Sequence, residues 1–78
     1  MSDWLEQDNA LHKTFKFKSF PEAIDWMAKA APEIEKLNHH PEWRNVYNRV
    51  EVTLRTHDAG NTITERDWKL ARLLDSIA

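Results

Sequence analysis

Cysteine is absent from the 78 residues, glycine occurs once, and neither sign of charge dominates, with 11 lysines and arginines against 13 aspartates and glutamates. The missing cysteine removes disulfides, thiol catalysis, Cys-ligated zinc and iron–sulfur clusters at once. It also suits a reducing compartment. A formal net charge of −2 offers no basic stripe of the kind that binds nucleic acid, so no direct nucleic-acid contact is expected. Long apolar runs are lacking too. Nothing approaches the ~20 residues of a membrane span, and the opening Met1-Ser2-Asp3-Trp4-Leu5-Glu6 has neither the basic nor the apolar region of a signal peptide. A soluble, cytoplasmic protein with no membrane partner is expected. The length allows a single domain over residues 1–78. A chain this short buries only about 60% of its unfolded surface, which makes a lone monomer marginal and predicts association with further copies of itself.

What is present is strongly patterned, with 41% hydrophobic residues including four Trp, three Phe and one Tyr. Leu11, Phe15 and Phe17 alternate with His12, Thr14, Lys16 and Lys18, which predicts a half-buried strand over residues 11–18. The short run Trp4–Glu6, followed by turn chemistry in Gln7-Asp8-Asn9, supplies a hairpin partner. Ser19-Phe20-Pro21-Glu22 reads as a capping box that opens a helix, with Pro21 in the first turn where its missing N–H costs little. Phe20, Ala23, Ile24, Met27, Ala31, Ile34 and Leu37 recur every three or four residues and predict the apolar stripe of that helix. Pro32 removes the bond to the Ala28 carbonyl and predicts a kink or a division.

Beyond Asn38-His39-His40-Pro41, Val50, Val52 and Leu54 alternate with Arg49, Glu51, Thr53 and Arg55 as a clear second strand. Glu42–Val46 is its hairpin partner, turning near Tyr47-Asn48. After the loop Asp58-Ala59-Gly60-Asn61, Thr64 and Asp67 open a helix that runs to about Ile77, with Leu70, Ala71, Leu74 and Ile77 facing the core. The order ββαββα predicts an α+β fold, a four-stranded antiparallel sheet with helices packed on one face.

The four histidines are the candidates for chemistry. His39 and His40 are adjacent where the first helix ends, and Glu35 lies one helical turn before His39. His57 follows the clearest strand, beside Asp58. His12, in mid-strand on the polar face, reads as plain surface. The other three fit ordinary surface histidines, a zinc site or an acid–base site. Neighbouring side chains on extended backbone diverge, and neither H-E-x-x-H nor cysteine is present, so no metal is expected. Imidazole, with an unperturbed pKa of about 6.5, both donates and accepts protons near neutrality. Spacing alone leaves the surface and acid–base readings open.

The run Glu35-x3-His39-His40-Pro41-x5-Tyr47-x9-His57-x9-Asp67 resembles the signature of the pterin-4a-carbinolamine dehydratases. Phe15-Lys16-Phe17-Lys18-Ser19-Phe20, Leu37-Asn38-His39-His40-Pro41-Glu42-Trp43, Val46-Tyr47-Asn48, Thr56-His57-Asp58, and Arg66-Asp67 with Leu70-Ala71 extend the resemblance over nearly the whole chain. It implies a lyase that dehydrates 4a-hydroxytetrahydrobiopterin, the carbinolamine left by aromatic amino acid hydroxylases, to quinonoid dihydropterin in tetrahydrobiopterin recycling. His39 and His57 are the implied acid–base pair, and His40 mainly holds the pterin. Glu35 is implied to orient His39 or bind substrate, and Asn38, Arg55, Thr56 and Asp58 to line the pocket. No cofactor is implied, because no electrons move, and homodimers or homotetramers are implied. Trp43 and Tyr47 read as packing residues, and Asp67 as a helix cap. Relative to the family pattern, the usual first helix is missing and the loop after His57 is longer than in many relatives. Animal members also serve as dimerisation cofactors of a homeodomain transcription factor. A non-catalytic protein-binding module is therefore one alternative, and a dehydratase-like protein acting on another pterin is a second.

Overall fold

A computed structural model describes residues 3–78 of the protein. Strands β1 (Leu5–Gln7) and β2 (Ala10–Lys16) come first, then helix α1 (Phe20–Leu37), strands β3 (Glu42–Val46) and β4 (Arg49–Leu54), a short 3-10 turn at His57–Ala59, and helix α2 (Glu65–Ile77). The strands form one antiparallel sheet in the order β1-β2-β4-β3. This is the α+β, ββαββα architecture read from the alternation of periods 2 and 3.6. Asp8 and Asn9, both left-handed with φ of 54° and 59°, make the β1–β2 turn, a conformation their short polar side chains tolerate. Gln7, assigned to the turn by its chemistry, instead pairs with Ala10.

Alternation on the two central strands sends Leu11, Phe15, Val50, Val52 and Leu54 to the inner face, where they meet Ala23, Trp26, Ala30 and Ile34 of α1 and Leu70, Ala71 and Leu74 of α2. Lys13 shares that face. Its Nζ lies 4.7 Å from the Phe15 ring centroid and 2.7 Å from Asp75 Oδ1, so the charged head is held between an aromatic face and a carboxylate. Trp4, also buried, donates from Nε1 to the other oxygen of Asp75 at 3.1 Å. One carboxylate near the end of α2 thus ties down both the chain leading into β1 and the middle of β2.

The buried face of α1 is rotated from the expected stripe. Phe20, Ile24 and Leu37 are 47%, 40% and 40% exposed, Ala31 is exposed as well, and Trp26 is buried in their place. Its indole packs on Phe15, Phe17 and Trp43 at centroid distances of 4.6, 5.4 and 6.1 Å. An indole buries far more area than the residues it displaces, and Ala23 and Ala30, at i−3 and i+4, let it approach the sheet. The helix is also continuous through Pro32, against the expected division. Only the bond to the Ala28 carbonyl is forfeited, while Ala30 and Ile34 on either side stay anchored in the core. Tyr47 is a further correction. Rather than packing, its ring is 67% exposed, and its backbone forms the β3–β4 turn at φ 54°, braced by Asn45 Nδ2 donating to the carbonyls of Tyr47 and Arg49.

Candidate active site

Three chain segments meet at one end of the helical layer. The first is the end of α1. Asn38 adopts the left-handed conformation (φ 51°) and donates its N–H to the Glu35 carbonyl at 3.0 Å, a helix stop that asparagine tolerates. The chain therefore leaves the helix axis just before His39 and His40. The second segment is the loop after β4. Thr56 and Thr62 exchange backbone hydrogen bonds at 2.9 and 3.3 Å, closing a small loop that carries His57 and Asp58. Gly60, at φ +86°, makes the reversal that L residues rarely adopt. The third segment is the first turn of α2, which bears Arg66 and Asp67.

Asp67 joins these segments. It is completely buried, and its Oδ1 accepts from His39 Nε2 at 2.6 Å. Its Oδ2 accepts from Thr56 Oγ1 at 2.9 Å and from the Thr64 N–H at 2.8 Å. Because the Thr56 hydroxyl proton goes to Asp67, the 2.6 Å contact between the Thr56 and Thr64 hydroxyls has Thr64 donating. A buried carboxylate is costly unless such bonds satisfy it. Here three donors, one from each of the three segments, converge on it, so the ring of His39, itself only 7% exposed, is fixed in place. With Nε2–H committed to Asp67, the neutral ring carries its lone pair on Nδ1.

The other two histidines are held more loosely. His40 Nε2 donates to Glu35 Oε1 at 2.7 Å, with both side chains mostly exposed, where such a pair contributes little stability. His57 Nδ1 donates to Asn61 Oδ1 at 2.8 Å, and its Nε2 lies 3.6 Å from Glu42 Oε2. Glu42 also faces Arg55 Nε at 3.3 Å. Between these groups lies an open cleft of about 240 Å³ lined by Asn38, His39, His40, His57, Asp58 and Arg66.

Five of the residues singled out in the sequence are thus brought together on the cleft: Asn38, His39, His40, His57 and Asp58. Three are not. Glu35 stands behind His40, and it orients that ring rather than His39. Arg55 pairs with Glu42. Thr56 turns inward to Asp67. Sequence reasoning missed Arg66 as a lining residue and saw in Asp67 only a cap. Arg66 Nη1 donates to both oxygens of Asp58 at 3.2 and 3.4 Å, and its Nη2 lies 3.5 Å from the Asn38 carbonyl, so one guanidinium spans two walls. The available signal was that a first-turn carboxylate has a second oxygen free for a partner outside its helix. His12 bonds within the sheet, to the Gln7 carbonyl and the Thr53 hydroxyl.

Among the described residues no three His, Asp or Glu side chains come together as a set able to hold a metal ion; the three cleft histidines engage three different partners. A larger recess, about 320 Å³, sits at the other end of the helical layer among Phe17, Glu22, Asp25, Trp26 and Lys29. It carries no imidazole, so size and proton-transfer chemistry point to different places, and we follow the chemistry. Three imidazoles around one cleft can give protons to a small organic molecule and take protons from it.

The molecule is therefore a small α+β domain with a histidine-lined cleft at the junction of two helix ends and a strand end. The chain belongs to the pterin 4 alpha carbinolamine dehydratase family, whose model matches residues 1–77. A protein of Opitutus terrae named "Putative pterin-4-alpha-carbinolamine dehydratase" is 51% identical over 78 residues, covering 100% of this chain and 80% of that one. A protein of the same name from Rhizobium etli is 55% identical over 80 residues, covering 100% and 78%. The crystal structure of a transcriptional coactivator/pterin dehydratase from Brucella melitensis matches with a TM-score of 0.90 at 52% identity, covering 96% of this chain and 81% of that one. A pterin dehydratase-like protein described as a RuBisCO assembly factor of the alpha-carboxysome shares the fold, with a TM-score of 0.78 at 22% identity, over 99% of this chain and 88% of that one.

Proposed function

We propose that the protein dehydrates 4a-hydroxytetrahydropterins to quinonoid dihydropterins. The C4a–O bond breaks, the hydroxyl leaves as water with one added proton, N5 loses its proton, and a C4a=N5 double bond forms. No electrons enter or leave the substrate, so the step calls for one proton donor and one acceptor and for no redox partner. The observation that carries this reading is the gathering of His39, His40 and His57 on one cleft in a chain of this family. His39, anchored through Nε2 on Asp67, presents Nδ1 as the base for the N5 proton. His57, on the loop wall, protonates the departing hydroxyl. His40, backed by Glu35, holds the pterin, with Asn38 and Asp58 as further polar contacts. Arg55 and Thr56 act through Glu42 and Asp67. The proposed setting is a cytoplasmic homo-oligomer that returns the carbinolamine to the tetrahydrobiopterin cycle without a cofactor.

A second reading, a non-catalytic partner protein, draws support from the coactivator named in the Brucella description and from the exposed Phe20 and Ile24 on α1. Turnover separates the two. Synthetic 4a-hydroxytetrahydropterin, followed by its absorbance change in stopped flow, should dehydrate faster with the protein than without it. Equal rates at micromolar protein would remove the enzymatic reading and leave the second.

A further inference from the structure

We propose that the cleft extends past His39 and Arg66 into an anion subsite built on Lys69, which selects pterins whose C6 side chain carries a phosphate or a carboxylate. The inference rests on the dehydratase reading and names its substrate class. A second recess of about 110 Å³ adjoins the cleft and is lined by Leu37, His39, Arg66 and Lys69. Two of those residues, His39 and Arg66, also line the cleft, so the two spaces share a wall. A water's share of liquid volume is about 30 Å³. The recess therefore has room for a small anionic group such as a phosphate or a carboxylate.

The charges in this recess are unbalanced. Arg66, Arg72 and Lys36 of the helical layer have carboxylates in Asp58, Glu65 and Glu33, while Lys29, at the other recess, has no ion pair among the described residues. Lys69 forms no ion pair within the described residues, even though Glu65 sits one turn before it on α2. Glu65 is turned instead to Arg72 at 2.9 Å. Lys69 also follows Arg66 by three residues, so two like charges neighbour each other on the helix surface and repel. Asp58 occupies Arg66 Nη1 only, and a guanidinium carries five N–H donors, so donors remain for a ligand. In a chain of net charge −2 this is not general basicity. An anionic tail would relieve the repulsion and give Lys69 its missing partner, whereas a neutral hydroxylated tail would do neither.

The test compares three probes on wild-type protein and on Lys69→Gln: neopterin, neopterin 3′-phosphate and pterin-6-carboxylate. Binding is read from quenching of pterin fluorescence, and turnover from the 4a-hydroxytetrahydro forms of the same compounds. At least one anionic probe should bind about tenfold tighter than neopterin, with the gain falling as salt is raised. In Lys69→Gln the gain should vanish while neopterin binds as before. The more favoured of the two anions identifies the tail. Equal affinity for all three probes, or a gain that survives Lys69→Gln, overturns the subsite. If the neutral substrate is dehydrated with no anion preference, the subsite falls and the dehydratase stands. If the anionic probe binds tighter but nothing is dehydrated, the subsite stands and the dehydratase falls.

Discussion

Asp67 divides its two oxygens between folding and the cleft. Oδ2 receives the Thr64 N–H at the start of α2, and Oδ1 receives His39. The capping part was legible, because Thr64-x-x-Asp67 is a local pattern. The His39 contact spans 28 residues, and no local rule reaches that far. The same limit explains Glu35, which from spacing alone can reach either of the next two histidines. The left-handed Asn38 decides that it meets His40. Asp67→Asn keeps the shape but sets an amide N–H against one of three donors, so the tautomer of His39 is no longer fixed. It should lower kcat, up to the ~10²–10⁴-fold that a positioned base contributes, with KM little changed. In a His39→Ala background the same change should cost no further kcat. An additive loss would mean that Asp67 acts only on the fold. By contrast, Glu35→Gln should raise KM more than it lowers kcat, since His40 is exposed and its pairing with Glu35 is solvent-screened. A pure kcat effect in steady-state kinetics would contradict that division of roles.

Helix α1 shows what periodicity settles and what it leaves open. Its start at Ser19, where the side chain accepts from the Glu22 N–H at 3.3 Å, follows from the capping residues. Its direction of packing does not, because two apolar stripes overlap on it. The stripe through Trp26 wins when Phe15 and Phe17 from the end of β2 and Trp43 from β3 meet the indole. Both hairpins, by contrast, were readable to within a residue or two, since each strand's alternation and turn chemistry are local. Pro32 lies exposed within the helix, away from the core contacts that carry α1. Pro32→Ala should therefore restore a backbone bond without disturbing packing and stabilise the fold by about 1–3 kcal/mol. Thermal unfolding should show a Tm rise of several degrees with kcat unchanged. An unchanged or lowered Tm would mean that the proline is accommodated by more than the loss of one bond.

At the scale of the molecule, the outer edges of β1 and β3 have no pairing strand among the described residues, and Leu5, Phe20 and Ile24 are exposed at 57%, 47% and 40%. Open edges favour pairing with another copy, and a core this small gains from the added burial. Sedimentation at micromolar concentration should give at least twice the 9.2 kDa chain mass, with Tm rising with concentration. A single 9.2 kDa species with a concentration-independent melt would contradict this.

The central claim, that the histidines of the cleft carry out the dehydration, is tested most directly by stopped-flow turnover of a synthetic 4a-hydroxytetrahydropterin with wild type, His39→Ala and His57→Ala, each first shown by circular dichroism to be folded. The account predicts that each substitution lowers kcat by roughly 10²–10⁴-fold. Wild-type turnover in both folded variants would contradict it.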